Sequence, residues 1–186
     1  MAEEKTLASG TLVIGLGRFG SAVALTLDKL GYEVLAVEKD SRRVQQFSGR
    51  IPVVEADASS MEALNQLGAR DFYSAVVGIG SSLEASVLIT ANLVDIGMTN
   101  IWAKAISREH SRILRRIGAQ HVVAPEFDAG QRTAHLVGGR MIDYIEMDKD
   151  GFAIMKLRPP KEVCGFTLSE LDLRGRYGVN VLGILR

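Results

Sequence analysis

The stretch Thr11-Leu12-Val13-Ile14-Gly15-Leu16-Gly17-Arg18-Phe19-Gly20 joins a short apolar, mostly β-branched run to a glycine-rich turn. Such a run reads as a buried strand, and the G-x-G-x-x-G at its end opens a helix. Each glycine has a distinct reason to be there. Gly15 permits the tight turn, Gly17 has no Cβ to bar a pyrophosphate, and Gly20 lets the helix pack close to the strand. The helix start then offers backbone N–H groups and a positive dipole end to phosphates. In a chain with 19 glycines the pattern alone is weak. Its setting gives it weight: a strand before it, a helical pattern after it, and an acid where a ribose would need one.

Outward from this turn, β-branched runs alternate with helical patterns. Strands are predicted over 11–15, 33–38, 51–55, 74–79, 100–105 and 121–124. Helices are predicted over 19–30, 40–48, 60–68, 82–97, 108–117 and 128–141. Gly31 stands where a helix C′ glycine belongs, and Ser81-x-x-Glu84 resembles a capping box. Alternation at this spacing means βαβ units on a parallel sheet. With right-handed crossovers, six strands give an α/β, doubly wound Rossmann domain over residues 10–141.

The pattern changes after residue 141. Two strand-like runs, 142–147 and 152–158, flank Asp148-Lys149-Asp150-Gly151, which reads as a hairpin turn. Pro159-Pro160 ends the hairpin. A short helix near 168–174 and a strand over 179–185 are predicted beyond it. Residues 142–186 are therefore expected to form a small, truncated β-rich α+β lobe, which is marginal alone and suited to pairing with another chain.

The bulk properties exclude several classes. The chain has 186 residues, 47% of them hydrophobic, so a substantial core can form. Lys and Arg total 22, as do Asp and Glu. A balanced chain has no electrostatic pull on nucleic acid or anionic lipid. The single cysteine, Cys164, rules out an internal disulfide and a Cys-based zinc site and suits a reducing cytoplasmic setting. No apolar run approaches the roughly 20 residues that span a bilayer. The polar start Met1-Ala2-Glu3-Glu4-Lys5 has no signal-peptide core.

The candidate ligand residues fall at the carboxyl ends of the predicted strands, where open α/β sheets bind ligands. Glu38 ends the second strand, where a carboxylate accepts from both ribose hydroxyls and repels a 2′-phosphate. A solvated strand-end acid is the plainer reading, since Lys39 and Asp40 are charged too; Lys39 joins the ligand set by position. Arg18 can reach phosphates in bidentate fashion, or serve as a surface arginine. Phe19 suits a core contact at the helix start better than a stacking platform. Asp57 and Ala58 follow the third strand, with Asp57 able to meet an adenine amino group. Gly78, Ile79 and Gly80 follow the fourth and allow close backbone approach. Lys104 ends the fifth and can face phosphate or ribose. Glu126 follows the sixth, where it can hold a cation or simply favour a helix N-terminus.

Other signals lead nowhere. Asp148-Lys149-Asp150-Gly151 lacks the spacing of an EF-hand loop, and His110, His121 and His135 have no metal-ligand spacing. Cys164 reads as a packing residue. Arg42-Arg43 and Arg115-Arg116 read as solvated helix faces. The helix over 82–97 is apolar nearly all round, which predicts burial on most sides and a subunit interface.

Taken together, Gly15–Gly20, Glu33-Val-Leu-Ala-Val-Glu38, Asn100-Ile-Trp-Ala-Lys-Ala105 and Ile117-Gly-Ala-Gln-His-Val-Val-Ala-Pro-Glu126 resemble the RCK (KTN) domain over about residues 10–186. Such domains regulate bacterial potassium channels and transporters. The resemblance implies a homodimer that assembles into an octameric ring on a membrane potassium-translocating subunit, at the cytoplasmic face. It implies ATP or ADP in the glycine-turn cleft, with NAD(H) as the family alternative. By position, Arg18 resembles the arginine on the terminal phosphates, Glu38 the ribose acid, and Glu126 an acid beside an activating Mg2+, Ca2+ or Na+. The family's C-terminal lobe, where cyclic di-AMP can bind, normally runs longer than the segment present here, so the resemblance does not carry that ligand over.

These readings converge on a ligand sensor with no catalytic set. The alternatives are an NAD-dependent oxidoreductase or redox sensor, which the glycine turn and Glu38 would equally serve, and a structural ring subunit with an empty cleft.

Overall fold

In the computed structural model, residues 10–139, 141–147 and 152–184 are described. The chain divides into two compact units, residues 1–128 and 129–186.

The first unit alternates strand and helix: β1 (Thr11–Ile14), α1 (Arg18–Lys29), β2 (Val34–Glu38), α2 (Ser41–Phe47), β3 (Val53–Glu55), α3 (Met61–Gln66), a 3-10 turn (Ala69–Asp71), β4 (Ser74–Val77), α4 (Leu83–Asp95), β5 (Ile101–Lys104), α5 (Arg108–Ile117) and β6 (His121–Val123). A sixth helix, α6 (Pro125–Val137), begins here and spans the division. The six strands form one parallel sheet in the order β3-β2-β1-β4-β5-β6. This is the doubly wound order, and its direction reverses between β1 and β4. The crevice at that reversal, beyond the strands' carboxyl ends, is where such sheets take ligands.

The core lies on both faces of the sheet, as parallel sheets require. Successive residues of β1 point to opposite faces. Leu12 and Ile14 enter the cluster that includes Ile89 and Leu93 of α4 and Leu114 of α5. Val13 enters the other, with Ala24 of α1 and Phe47 of α2. Thr11 Oγ1 and Ser74 Oγ share a hydrogen bond of 2.8 Å across β1 and β4. Helix α1 ends as its sequence predicts, with Gly31 in the left-handed region at φ +82.

Helix α4 departs from expectation in two respects. Its N-cap is Ser82, whose hydroxyl accepts from Ala85 N, one residue beyond the predicted cap. Its buried face also carries Ser86, Thr90 and Asn92 beside Ile89 and Leu93, while Leu83 and Leu88 face solvent. Two of the three polar side chains, Thr90 and Asn92, are buried with a hydrogen bond each, whereas the Ser86 hydroxyl has none among the described residues. Thr90 Oγ1 donates to Ser86 O one turn back, and Asn92 donates across the fold. Helix α6 starts three residues before its predicted position, with Pro125 in its first turn, and none of its residues is buried. Among the described residues, no helix is long and apolar enough to cross a membrane.

The second unit holds the expected hairpin, β7 (Met141–Glu146) antiparallel to β8 (Ala153–Leu157). The predicted turn 148–151 lies outside the described residues. A 3-10 turn (Lys161–Val163), α7 (Leu168–Leu171) and α8 (Leu173–Tyr177) follow. Thr167 and Glu170 cap α7 reciprocally. The strand predicted over 179–185 is absent among the described residues 179–184. Val179, Val181, Leu182 and Ile184 are all exposed, so the apolar run lacks the ladder and covering layer that make such a run a strand. Cys164 is exposed, its Sγ donating to Pro160 O, so the packing role read from sequence does not hold.

Candidate functional site

The crevice between β1 and β4 opens into a cavity of about 540 Å³. Its floor is backbone. Gly15 sits at φ +88, a region that disfavours L side chains. A Cβ on Gly20 would meet Gly15 O at 1.9 Å, and one on Gly78 would meet Gly20 Cα at 3.0 Å. The β1 turn, the start of α1 and the end of β4 therefore touch with no side chain between them. Gly17 differs, since a Cβ there would have nothing within 4 Å. It lines the cavity and is the N-cap of α1, with no side-chain cap. With no acid in its first turn, α1 presents its positive end uncompensated.

Around this floor the predicted residues assemble. Gly15, Gly17, Arg18 and Phe19 line one side, and Gly78, Ile79 and Gly80 another. Phe19 also packs on the α1–α2 core, as expected of it. Gly20 lies beneath the floor and shapes it without lining the cavity. Glu38 and Lys39 close the β2 end, Asp57 and Ala58 the β3 end, Lys104 and Glu126 the β5–β6 end.

Glu38 is more than a ribose-facing acid. Its carboxylate is buried, and it accepts from Leu16 N on Oε2 at 2.7 Å. On Oε1 it accepts from Lys39 N and Asp40 N at 2.9 and 3.1 Å. It thus braces the glycine turn against its own strand end. A carboxylate has about four acceptor sites, so capacity remains for a ligand hydroxyl.

At the opposite end, Lys104 Nζ donates to Glu126 Oε1 at 2.7 Å. Gly80 makes room for this lysine, since a Cβ there would meet Nζ at 3.0 Å. The Lys104 bond, and after it a backbone bond within Glu126, hold the Glu126 carboxyl below the ordinary range; the charges of Lys104 and Arg18 add to this. A group depressed on folding contributes stability above its unfolded midpoint and loses it as pH falls through its folded one. The pair therefore persists at neutral pH and opens only in acid. We expect Lys104→Met to raise the Glu126 midpoint, read by carbon-detected NMR of the carboxyl; an unchanged midpoint would contradict the pairing.

Asp57 is organised locally. Its Oδ1 accepts from Ser59 Oγ at 2.6 Å and from Ser59 N at 3.0 Å, and these two bonds hold its carboxyl below the ordinary aspartate range. On the β5 side, Ile106 lines the cavity and donates its N–H to Nδ1 of His110, whose burial lowers the imidazole's affinity for protons.

Comparisons with known proteins give the family and the fold. Residues 11–125, from β1 to the first turn of α6, match the TrkA-N domain. This chain belongs to the TrkA-N family. Ktr system potassium uptake protein C of Bacillus subtilis is 35% identical to it over 176 residues, 94% of this chain and 79% of the relative. Among solved structures, GsuK bound to ADP shares the fold at a TM-score of 0.62 and 22% identity, covering 72% of this chain and 35% of that one. The GsuK channel bound to NAD does so at 0.69 and 16%, covering 95% and 32%.

Some residues lining the TrkA-N cavity escaped the sequence reading. Arg43, expected on a solvated helix face, lines the cavity with Nη1 3.6 Å from Glu38 Oε2, whereas Arg42 is as exposed as expected. Its position in the first turn of the helix that follows the strand-end acid was the available signal. Ala85 and Ile89 of α4 and Ile106 supply apolar wall. Nothing in their residue types separates them from core.

Proposed function

We propose that this TrkA-N protein is the nucleotide-sensing regulatory subunit of a potassium uptake system. The observation that carries this reading is the cavity itself. One glycine-built floor holds an uncapped helix N-terminus and Arg18 for phosphates, with Glu38 and Asp57 for the nucleoside and Lys104–Glu126 at the far end. The potassium uptake relative and the ADP- and NAD-bound neighbours support it. ATP and ADP are the proposed ligands, with NAD(H) the alternative that Glu38 also suits.

Arg18 would bind the terminal phosphates, and Glu38 and Asp57 would orient ribose and adenine. Among the described residues no group of three or more His, Cys, Asp or Glu could hold a metal ion. Glu126 alone cannot cage Mg2+, Ca2+ or Na+. It fits an ion that takes its remaining oxygens from phosphates and water, as Mg2+ commonly does. Regulation follows if ligands bind two conformations of a homodimer differently. Exposed Leu83 and Leu88 on α4 support a contact with a second copy. Through a ring of such dimers the change would reach a membrane potassium-translocating partner at the cytoplasmic face. The site is read as a sensor and carries no catalytic role.

Mass spectrometry of ligand released from purified protein, then calorimetry with ATP, ADP, NADH and NAD, tests this. Arg18→Ala is expected to weaken ATP about tenfold, the worth of one charge-assisted contact, and AMP much less. Equal ATP and ADP affinities with identical scattering profiles would overturn the sensor reading.

A further inference from the structure

Asn92 lies deep in α4, 8% exposed, outside the cavity lining. Asparagine is a poor helix-interior residue, and a buried amide is costly without a partner. Its partner is on another element. Asn92 Nδ2 donates to Ser59 O at 2.9 Å, tying α4 to the segment between β3 and α3. The same Ser59 holds Asp57, giving its N–H and hydroxyl to Asp57 Oδ1. Asp57 N-terminal to this turn and Ala58 line the cavity. The turn is closed by Ser60 N donating to Asp57 O, and Ser60 Oγ caps α3.

From this chain of bonds we infer that Asn92 is a positioning residue that sets base selectivity. By holding the Ser59 carbonyl it fixes the Ser59–Ser60 peptide, whose N–H closes the turn on Asp57 O, and so restrains Ser59, whose own N–H and hydroxyl reach the Asp57 carboxylate. The Asp57 carboxylate is thereby fixed where an acceptor selects an exocyclic amino group. The Asp57 turn has bonds of its own, but among the described residues Asn92 supplies the one that comes from across the fold. The inference rests on the adenine-nucleotide reading above and adds a residue that no ligand touches. Asn92 shares α4 with the cavity residues Ala85 and Ile89, so the turn and that wall are held as one piece.

The test is calorimetry of wild type, Asn92→Ala and Asn92→Asp with ATP, GTP and tripolyphosphate. Asn92→Asp keeps the side-chain shape and turns a donor into an acceptor facing Ser59 O, so it covers the case in which the alanine variant folds poorly. Loss of one orienting hydrogen bond is expected to shrink the ATP-over-GTP preference about tenfold. Tripolyphosphate affinity should stay within about twofold, since the phosphate end is untouched. A general loosening of the domain would move both. A wild-type ATP-over-GTP ratio retained in both variants overturns the role of Asn92 and leaves the nucleotide reading standing. A wild type that binds ATP no better than tripolyphosphate overturns that reading, and this inference with it.

Discussion

Gly20→Ala is expected to lower the thermal midpoint by about 10 °C or more. The added methyl would stand 1.9 Å from Gly15 O, where real Cβ contacts do not come under 3.0 Å. The obstacle is backbone, so no rotamer change relieves it. Either α1 moves about 1 Å off the sheet or the Gly15 turn unwinds, and overpacking of this kind costs about 3 kcal/mol or more. At about 2–4 °C per kcal/mol for a chain of this size, the shift is large. Gly17→Ala is the matched control. Gly17 has φ −67 and open space around it, so its methyl leaves the fold near wild-type stability and intrudes only on the ligand. Differential scanning calorimetry and nucleotide titration of the pair should separate cleanly, the first variant losing stability and the second losing binding. Equal melting of both variants would show that the backbone contact is not the constraint described.

Glu38→Gln is expected to destabilise the protein even without ligand, despite its equal size. The two carboxylate oxygens serve different donors, Leu16 N on one and Lys39 N with Asp40 N on the other. An amide has one oxygen, so its NH2 must face a backbone N–H on one side. Hydrogen bonds to a charged group are worth about 1.5–3 kcal/mol each, and an orphaned buried donor adds its own cost. A loss of about 2–4 kcal/mol in urea unfolding follows, with Glu38→Ala at the upper end. A ribose acid with no structural duty would lose affinity and keep its stability, and that outcome would contradict the bracing role.

How far the sequence reached can be judged at these same residues. The parallel order and the place of the crevice were legible because short β-branched strands, helical spacing and the Gly15–Gly20 turn all agree. The candidate residues gathered because strand ends in such a sheet share one edge. What the sequence hid was the use made of each side chain. Glu38 was readable as a strand-end acid, yet its bonds to Leu16, Lys39 and Asp40 depend on the turn folding back over it. Arg43 looked like its solvated neighbour Arg42 because helix phase relative to the cavity is a tertiary fact. The same limit hid the buried polar residues of α4, where composition cannot say which side chain bonds across to Ser59. The run over 179–184 has strand-like residues and no ladder to join, and propensity without a partner does not make a strand.

The all-glycine contact beneath the cavity has a mechanical consequence. Gly15, Gly20 and Gly78 have no side chains to repack, so an occupant cannot be registered on this floor by a change of rotamer. A difference between one occupant and another is then registered at the side-chain margin, in Arg18 and in the Lys104–Glu126 pair.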